Sequence, residues 1–490
     1  MSIAFSLIPN LLLTPGSYIE YDASRAVSGL AILPNRVLLV GSRLSTGTVP
    51  ANTLVQVTRD TDGIDFFGEH SQMARAVERF KLNAKFTEVW AIGMDDAGAG
   101  VAATKTITVT GTSTSAGVLP LLIHGERVNV LVPTGSDPTS TAALIVAAIT
   151  ASNAMMFTAA STLGVVTLTA RNAAAWTQAL DVRSNYEITS IERAALPSSV
   201  TLAFADAVTG ATNPDVTAAY ALIGAEHFTK IVSFFSDATN VAATEAEELE
   251  RWGPAVQQDG LGFFALTGTH SELLAYGGAR NSQFSTVLGI GASPSPEAEW
   301  AAAYAAVDSN EPDPARPRQT LQLLGVLPPA RSDVFTQAER NLLLQGGIST
   351  FTTDQSGQVF IERMVTTYQT NAQSFSDTTY LNVTTMHMLA ALRYTLRVRI
   401  SLKYPRHKLA DDGTNYGPGQ PVVTPSVIRA EILGLFGQWE LSGLVEDFEQ
   451  FSAELLVERN GPDRDRLDAR LGPNLMNQFR VFAGQIQFII

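Results

Sequence analysis

The sequence predicts a multi-domain α/β protein with a mostly parallel core, an inserted α+β domain and a C-terminal α+β region. Three observations support this fold class. Short apolar runs alternate with amphipathic segments on both sides of a low-charge stretch, which is the order of parallel crossover units. The chain has 490 residues, more than one compact core usually holds. Its 45% hydrophobic and 16% charged residues are typical of well packed globular domains.

The first crossover unit is predicted before residue 100. Residues 36–43, RVLLVGSR, form a short apolar run that indicates a buried strand. Residues 71–84 place apolar side chains at helical spacing, and residues 86–94 form a second apolar run. Strand, helix and strand in this order favour two parallel strands joined by a helix.

Residues 101–208 differ in composition and predict an inserted α+β domain. No charged residue occurs between Asp137 and Arg171. Ser, Thr and Asn interrupt this run, so it is too polar to predict a membrane span. Residues 119–132 predict a hairpin that turns at Gly125-Glu126, because Gly suits the first position of a type II′ turn.

After the insertion, the alternation of strands and helices resumes. We predict strands at 230–235, 261–269 and 285–291, and helices at 244–258 and 295–307. Residues 26–100 and 209–330 together are therefore expected to form the α/β core.

Residues 331–478 are predicted to form a separate C-terminal α+β domain. It opens with a capping box, Thr336 and Glu339, which marks the start of a helix. Further helices are expected at 378–404 and 424–440, and strands at 357–370 and 451–460.

Composition excludes several classes of function. The formal net charge of −14, with scattered Lys and Arg, disfavours direct binding to nucleic acid or to an anionic membrane. The chain has no cysteine, which excludes disulfides, thiolate metal sites and cysteine nucleophiles. No phosphate loop, nucleophile elbow or zinc-binding histidine motif occurs in the sequence. We therefore predict no catalytic, cofactor-binding or metal-binding residues, and expect the protein not to be an enzyme.

One loop keeps an enzymatic alternative open. Residues 405–420 contain Asp411, Asp412 and Asn415, whose oxygen atoms could bind a hard cation or take part in acid chemistry at the site of an α/β hydrolase. The bidentate glutamate of a calcium loop is missing, however. An ordered turn built from Asp-Gly and Tyr-Gly-Pro-Gly explains the same residues, and we favour it.

Both ends of the chain carry apolar segments with strand-like alternation. Ile3, Phe5 and Leu7 alternate with small residues at the N-terminus. At the C-terminus, Gln485 and Gln487 alternate with Ile486 and Phe488, and the chain finishes on two isoleucines. Such strands can pair with each other, with the chain's own sheet, or with the sheet of another molecule. Head-to-tail pairing between molecules builds rings or helical polymers.

Long stretches of the sequence resemble the tail sheath proteins of Mu-like contractile phages. The resemblance is carried by PGSYIEYDASRAVSGLAILPNRVLLVG at residues 15–41, by IERMVTTYQTN, LKYPRHKLADDGTNYGPGQPVVTPSVIRAE and LLVERN, and by NQFRVFAGQIQFII at the C-terminus. It is far more specific than a short motif. It covers both ends of the chain and, more loosely, the regions between them.

The resemblance implies a structural protein that forms six-fold rings stacked helically around a tail tube. Terminal strands are donated to neighbouring subunits, and rigid-body rearrangement of subunits drives the tube through the host envelope. It implies an N-terminal arm at residues 1–25, a C-terminal arm strand at 479–490, an outer location for 101–208 and an inner one for 331–478. The expected partners are further copies of the chain, the tail tube protein, and the baseplate and tail terminator proteins, with no cofactor, no direct nucleic-acid contact and no membrane insertion. The protein is expected in the virion tail, after assembly in the host cytoplasm.

Particular residues follow from this interpretation. The side chains expected to pair between subunits are Ile3, Phe5, Leu7, Val481, Ile486, Phe488 and Ile490. We expect residues 359–365 and 452–459 to form the receiving sheet. The acidic side chains Glu440, Glu446, Asp447 and Glu449 are a candidate tube-facing surface. The sheath of a phage-derived bacteriocin or secretion system is an alternative with the same mechanics.

Overall fold

The computed structural model describes residues 13–19, 29–152, 155–186 and 196–489. The predicted N-terminal strand with Ile3, Phe5 and Leu7, and the terminal Ile490, lie outside these residues. The chain divides into two compact units. The α/β unit contains residues 34–312 and 318–386. The terminal unit contains the described residues up to Leu33, residues 313–317 and the chain from His387 onwards.

The α/β unit contains most of the secondary structure. Its strands are β1 (Arg36–Ser42), β2 (Leu54–Val57), β3 (Glu88–Met94), β4 (Thr104–Thr110), β5 (Gly117–Ile123), β6 (Glu126–Val132), β7 (Phe157–Thr162), β8 (Val165–Ala170), β9 (Val182–Ser184), β10 (Thr201–Val208), β11 (Lys230–Ser233), β12 (Leu261–Thr267), β13 (Ser285–Gly291), β14 (Gln322–Leu323), β15 (Ile348–Thr353) and β16 (Val359–Arg363). Its helices are α1 (Asp62–Phe67), α2 (Gln72–Asn83), α3 (Pro138–Thr150), α4 (Thr217–Tyr220), α5 (Ala238–Arg251), α6 (His270–Gly278), α7 (Glu297–Ser309) and α8 (Gln337–Gln345), with a 3₁₀ helix at Ala175–Ala179. Helix α9 (Val383–Lys403) begins in this unit and continues into the terminal unit.

The main sheet has nine strands in the order β14-β16-β15-β13-β12-β11-β1-β3-β2. The run from β15 to β3 is parallel, and the strands outside it pair antiparallel. The parallel strands are buried along nearly their whole length, which is why the sequence shows continuous apolar runs there. The sheet includes strands up to Arg363, past residue 330, where the sequence predicts a separate domain to begin.

Helix α7 is buried on every side. All residues from Ala298 to Ser309 are buried, and Trp300 and Tyr304 are among the largest fully enclosed side chains. The helix is rich in alanine, so that its backbone can approach both α2 and the sheet closely. A helix that is apolar all round belongs in the interior of a large domain.

The insertion consists of a four-stranded sheet (β10-β4-β8-β7), a three-stranded sheet (β6-β5-β9) and helix α3. Its apolar residues form one cluster with residues of the main sheet, such as Leu38 and Ile92. The hairpin between β5 and β6 turns at His124 and Gly125, because Ile123 pairs with Glu126. Both turn residues have positive φ, 39° and 89°, as a type I′ turn requires. The predicted type II′ turn at Gly125-Glu126 is therefore wrong by one residue.

The terminal unit is built mainly from helices. Its elements are the end of α9, β17 (Lys408–Leu409), β18 (Val422–Val423), α10 (Pro425–Leu441), β19 (Val445–Glu446), α11 (Phe448–Glu454), β20 (Leu456–Arg459), β21 (Leu467–Arg470) and β22 (Asn474–Leu475). Its core contains Phe436 and Trp439 of α10, and Phe451 of α11 stacks on Phe436 with ring centroids 4.1 Å apart. The predicted strand at 451–460 is wrong in its first half, because Asp447 caps a helix there by accepting a hydrogen bond from Gln450 N.

Candidate functional site: the C-terminal arm and the open hairpin

The last residues of the chain expose a run of large apolar side chains. Val481 is 81% exposed, Ile486 91% and Phe488 79%, and Phe479, Phe482 and Ile489 are also exposed. Burying one such side chain stabilises a protein by about 1.5–3 kcal/mol. Because these side chains remain in contact with solvent, the single chain does not gain this stabilisation. We call residues 476–489 the C-terminal arm.

The C-terminal arm does not pair with the described part of its own chain. Its residues belong to no strand there, although their alternation predicts one. The preceding strand, β22, pairs with β19, and Met476 N still donates a hydrogen bond to Leu444 O. Gln478 Nε2 then donates to Ala315 O. Beyond this point, Gln485 and Gln487 are as exposed as their apolar neighbours, so neither face of the predicted strand is covered.

Among the described residues, the β20–β21 hairpin is the longest of the three two-stranded sheets of the terminal unit. Strand β20 pairs antiparallel with β21, from Leu456 opposite Arg470 to Arg459 opposite Leu467, and no third strand of the described chain joins this sheet. Val457 and Leu467 pack against the core of the terminal unit, which holds the hairpin in place. The backbone N–H and C=O groups on each outer edge therefore have no strand partner among the described residues and could pair with an added strand.

The second predicted receiving segment cannot accept a strand. Residues 359–365 contain β16, which lies between β14 and β15 in the main sheet. Phe360 faces Gln322 on one side and Thr352 on the other. Both edges of β16 are used within the chain, and β20 belongs to a different sheet, so the two segments do not form one receiving sheet as predicted. The alternating sequence of β16 reveals a strand but not how many neighbours it has.

The four acidic side chains between the end of α10 and the start of α11 differ in exposure and in structural role. Glu440 and Glu449 are exposed, whereas Glu446 is half-buried in β19. Asp447 is exposed but has a structural role, since its side chain caps α11 and its φ is 67°. Glu440 and Glu449 are thus the members of this group that can be changed without removing a helix cap.

The acidic loop at 405–420 is tied into the terminal unit. Asp411 Oδ2 lies 3.2 Å from Arg459 and 2.5 Å from Arg464, at the end of the β20–β21 hairpin. Asp412 Oδ1 accepts hydrogen bonds from the hydroxyl (2.6 Å) and backbone N (3.1 Å) of Ser426. The Ser426 hydroxyl is also the main reason why the pKa of Asp412 lies below its usual value. These contacts are those of an ordered turn that caps α10.

Metal-binding geometry does not support the enzymatic alternative either. No group of three or more His, Asp or Glu side chains within the described ranges is arranged to hold a metal ion. Among the same residues, no helix combines the length and apolar character needed to cross a bilayer.

The α/β unit fills the position where open parallel sheets usually bind ligands. That position is the carboxyl edge at the point where the strand order reverses, between β1 and β11 here. Trp176, from the 3₁₀ helix of the insertion, lies there and donates from Nε1 to Ser42 Oγ over 3.1 Å. Gln72 bridges the two strands by accepting from Ser42 N (2.8 Å) and donating to Phe234 O (3.2 Å). Only a small cavity remains beside these side chains.

A carboxyl group closes the same cavity. Glu297, at the start of α7, accepts hydrogen bonds from Thr267 N (2.8 Å) and Ser236 Oγ (2.9 Å). Burial raises the pKa of Glu297 to about 7. Raised pKa values are common at active sites, but both partners of Glu297 belong to strand ends that it ties to α7. No pattern in the sequence points to Glu297 or Trp176, because only the tertiary structure brings them to the sheet edge.

Two family models match the chain from residue 209 onwards. Residues 209–367 match the family model of the phage tail sheath protein central domain, and residues 376–489 match that of the phage tail sheath C-terminal domain. The chain is 39% identical over 492 residues to the Mu-like prophage FluMu tail sheath protein of Haemophilus influenzae, with all of both chains covered.

Solved structures show more distant similarity. The sheath tail protein of Desulfitobacterium hafniense is 12% identical with a TM-score of 0.47, over 94% of this chain and 100% of that one. The helical sheath of the anti-feeding prophage in its contracted state is 11% identical with a TM-score of 0.46, over 97% of this chain and 99% of that one.

Proposed function

The chain belongs to the phage tail sheath protein family, and from this premise we propose how its ends build and operate the sheath. The protein is a structural subunit of a contractile phage tail sheath and a component of the virion tail. The proposal is that the C-terminal arm adds as a strand to the open β20–β21 hairpin of a neighbouring subunit. The observation that carries it is the run of exposed apolar side chains that has no strand partner among the described residues of its own chain.

Strand addition would give this contact between subunits both affinity and specificity. Main-chain hydrogen bonds to an open edge give affinity, and alternate side chains fill pockets on one face. Val481, Ile486, Phe488 and Ile490 are the side chains proposed to be buried in the neighbour. The N-terminal residues Ile3, Phe5 and Leu7 are proposed to pair in the same way. A contact from the end of one subunit to the hairpin of the next is head-to-tail, so it can build rings or helical polymers. Six-fold rings stacked in a helix are the arrangement proposed from the family.

Contraction is proposed to be a rigid-body rearrangement of subunits that stay connected by their arms. The energy is stored in the assembled state, and no nucleotide or other cofactor is needed. We propose a non-enzymatic role, consistent with the ligand position filled by Trp176.

The remaining partners are proposed from the family. The sheath encloses the tail tube and meets baseplate and tail terminator proteins at its ends, with no direct nucleic-acid contact and no insertion into a membrane. Assembly takes place in the host cytoplasm. The 101–208 insertion is proposed to face outwards and the terminal unit to face the tube, with Glu440, Glu446, Asp447 and Glu449 on the tube side.

Electron microscopy of purified full-length protein tests the role of the C-terminal arm. We expect tubes or stacked rings from the wild type and none after deletion of residues 480–490. The double variant Ile486→Glu/Phe488→Glu should also stay unassembled, because it places charges on the face to be buried. Its matched control is Gln485→Glu/Gln487→Glu, which adds the same charge to the opposite face and should still assemble.

The controls separate the possible outcomes. Assembly of the deletion variant would mean that the essential contact lies elsewhere. Equal failure of both double variants would mean that net charge on the arm, rather than a buried face, decides assembly. Monomers from the wild type at high concentration, even with tail tube protein, would contradict the proposed polymerisation.

Cross-linking identifies the receiving edge. Because the chain contains no cysteine, Leu456→Cys/Ile486→Cys introduces the only thiols. We expect disulfide-linked dimers and higher multimers from this variant after mild oxidation of assembled protein. Phe360→Cys/Ile486→Cys is the control, since β16 has both edges occupied. Cross-linking through Phe360→Cys but not Leu456→Cys would contradict the hairpin as receiver.

Charge reversal tests the tube-facing surface. Glu440→Lys/Glu449→Lys should abolish co-assembly with tail tube protein and leave the fold intact, since neither side chain caps a helix. Lysine substitution of Glu250, an exposed residue of α5 in the α/β unit, is the control. Normal co-assembly of Glu440→Lys/Glu449→Lys would place the tube contact elsewhere.

A further inference from the structure

The C-terminal arm has two parts that differ in exposure. We call residues 476–480 the arm root, and the residues from 481 to the end of the chain the free part. In the arm root, half-buried residues alternate with exposed ones, so one side of an extended segment lies against the terminal unit. The half-buried residues are Met476, Gln478 and Arg480. In the free part, every described residue is exposed.

Hydrogen bonds hold the arm root on the terminal unit. Met476 N donates to Leu444 O over 3.0 Å, which continues the pairing of β22 with β19. Two residues later, Gln478 Nε2 donates to Ala315 O over 3.3 Å. The Arg480 guanidinium donates to Gln478 Oε1, so the Gln478 amide is used at both ends. Gln478 thus links Ala315 to the last half-buried residue of the arm.

The acceptor Ala315 O belongs to a loop that is itself ordered. Asp313 Oδ1 accepts a hydrogen bond from Ala315 N over 2.9 Å, which closes an Asx turn. Pro314 and Pro317 lie on either side of Ala315 and restrict the backbone of this loop. The Ala315 side chain packs against the core of the terminal unit. The carbonyl group that Gln478 reaches is therefore fixed within this unit.

The position of these contacts along the chain indicates their role. Chain ends usually fray, because ordering them costs entropy that only contacts repay. The contacts of the arm root come immediately before the apolar side chains that are proposed to enter a neighbouring subunit. They therefore fix the point from which the free part extends.

We propose that Gln478 positions the C-terminal arm, by holding the arm root on Ala315 so that only the free part reaches towards a neighbouring subunit. This inference rests on the proposed function, because it assumes strand addition to another subunit. The free part runs from residue 481 to residue 490. At about 3.3 Å per residue it spans at most about 33 Å, so the receiving hairpin must lie within that distance of Arg480.

A fixed arm root also favours assembly. An arm root that moved freely would have to be ordered when the strand binds, and this entropic cost would weaken the association. We therefore expect Gln478→Ala to raise the protein concentration needed for assembly by about threefold to tenfold, as the loss of one hydrogen bond implies. Thermal unfolding of the single chain should stay unchanged, because the arm root lies outside the core.

Trypsin tests the arm root directly in dilute full-length protein. Cleavage after Arg480 releases the free part as a peptide, which mass spectrometry quantifies. In the wild type, Arg480 must leave Gln478 before it can enter the protease, so we expect slow release. Gln478→Ala should speed the release by about threefold to tenfold, because local opening controls proteolysis. An unchanged rate would overturn the proposal.

Two further variants identify the contact that matters. Gln485→Ala removes the same kind of side chain from the free part, so it should leave the cleavage rate after Arg480 unchanged. Gln478→Glu keeps an acceptor for Arg480 but cannot donate to Ala315 O at neutral pH, so it should behave like Gln478→Ala. Equal acceleration by Gln485→Ala, or a wild-type rate in Gln478→Glu, would overturn the role of the Ala315 contact.

Cryo-electron microscopy of assembled wild-type sheaths tests the same contact in the polymer. We expect the arm root on Ala315 of its own subunit and the free part on the neighbouring subunit. An arm root that has left Ala315, or assembly of Gln478→Ala at the wild-type concentration, would overturn the proposal. Absence of wild-type sheaths would contradict the proposed function, and the trypsin experiment would still decide whether Gln478 holds the arm root.

Discussion

The two units of this chain treat their apolar residues in opposite ways. The α/β unit encloses a large core that includes a helix, α7, whose residues from Ala298 onwards are all buried, and its exposed apolar residues are scattered along the chain. The terminal unit has a smaller core around Phe436 and Trp439 and leaves the apolar residues of its C-terminal arm exposed. The comparison teaches that a large buried core and an exposed apolar segment occur in different units of one chain, and the proposed strand addition would bury the exposed one.

The largest expected effect on stability comes from deleting a large buried side chain of the α/β unit. Trp300→Ala should lower the free energy of unfolding by about 3–5 kcal/mol, because it deletes a fully enclosed ring from α7. Differential scanning calorimetry is the measurement. Trp439→Ala makes the same deletion in the terminal unit. If the two units unfold as separate transitions, each variant should shift only one of them, and a shift of both by either variant would break the comparison.

Removing a buried carboxyl group from the α/β unit should change how stability depends on pH. Glu248 of α5 is fully buried, and burial raises its pKa well above the usual value, with Arg251 opposing this shift. The folded chain therefore holds a proton that the unfolded chain releases above about pH 4.5. The stability it contributes is complete below that pH and is lost as the pH rises towards the folded-state pKa, by at most about 1.4 kcal/mol per pH unit.

Glu248→Gln should flatten this dependence and make the protein more stable than wild type at about pH 8. Denaturant unfolding at a series of pH values measures it. Glu250→Gln changes an exposed carboxylate on the same helix and should keep the wild-type slope. An unchanged slope in Glu248→Gln would mean that Glu248 is ionised in the folded protein, paired with Arg251.

A smaller effect is expected from the cap of α10 in the terminal unit. Asp412→Ala removes the acceptor for Ser426 N and Oγ, so it should lower the stability of the terminal unit, by less than deletion of a buried ring such as Trp439 does. Thermal unfolding followed by circular dichroism gives the shift. Asp412→Asn keeps the acceptor and should recover most of the loss. Increased stability in Asp412→Ala would contradict the structural role of this loop.

The smallest effect should be a gain. Gly434 lies in the middle of α10, and a Cβ added there meets no atom within 4 Å. Gly434→Ala should therefore stabilise the terminal unit by about 0.5–1 kcal/mol. If the variant is more stable but no longer assembles, this face of α10 contacts another molecule. The comparison would then be sharpened, since a second surface of the terminal unit would depend on a neighbour.

The sequence predicted the local elements that depend on local chemistry. The capping box of Thr336 and Glu339 is present as expected, with Glu339 Oε2 accepting from Thr336 N over 2.8 Å. The apolar run at β13 and the helix from Gln72 also lie where the periodicity placed them. Predicted element boundaries were wrong where the helix start is set by a capping residue that is not part of the apolar pattern. Asp237 starts α5 at Ala238, before the predicted residue 244, and Asp447 starts a helix inside a predicted strand.

The sequence by itself determined the family, the alternation of strands and helices, and the apolar alternation of the C-terminal arm, because these depend on residues that are neighbours in the chain. Only the tertiary structure decided that β16 is an interior strand, that the β20–β21 hairpin has open edges, and that Trp176 fills the ligand position of the sheet. It also brought the Gln478 side chain to Ala315 O. The reason is physical: whether an edge, a pocket or a buried charge is satisfied depends on partners distant in sequence, and a local pattern carries no information about which partner arrives.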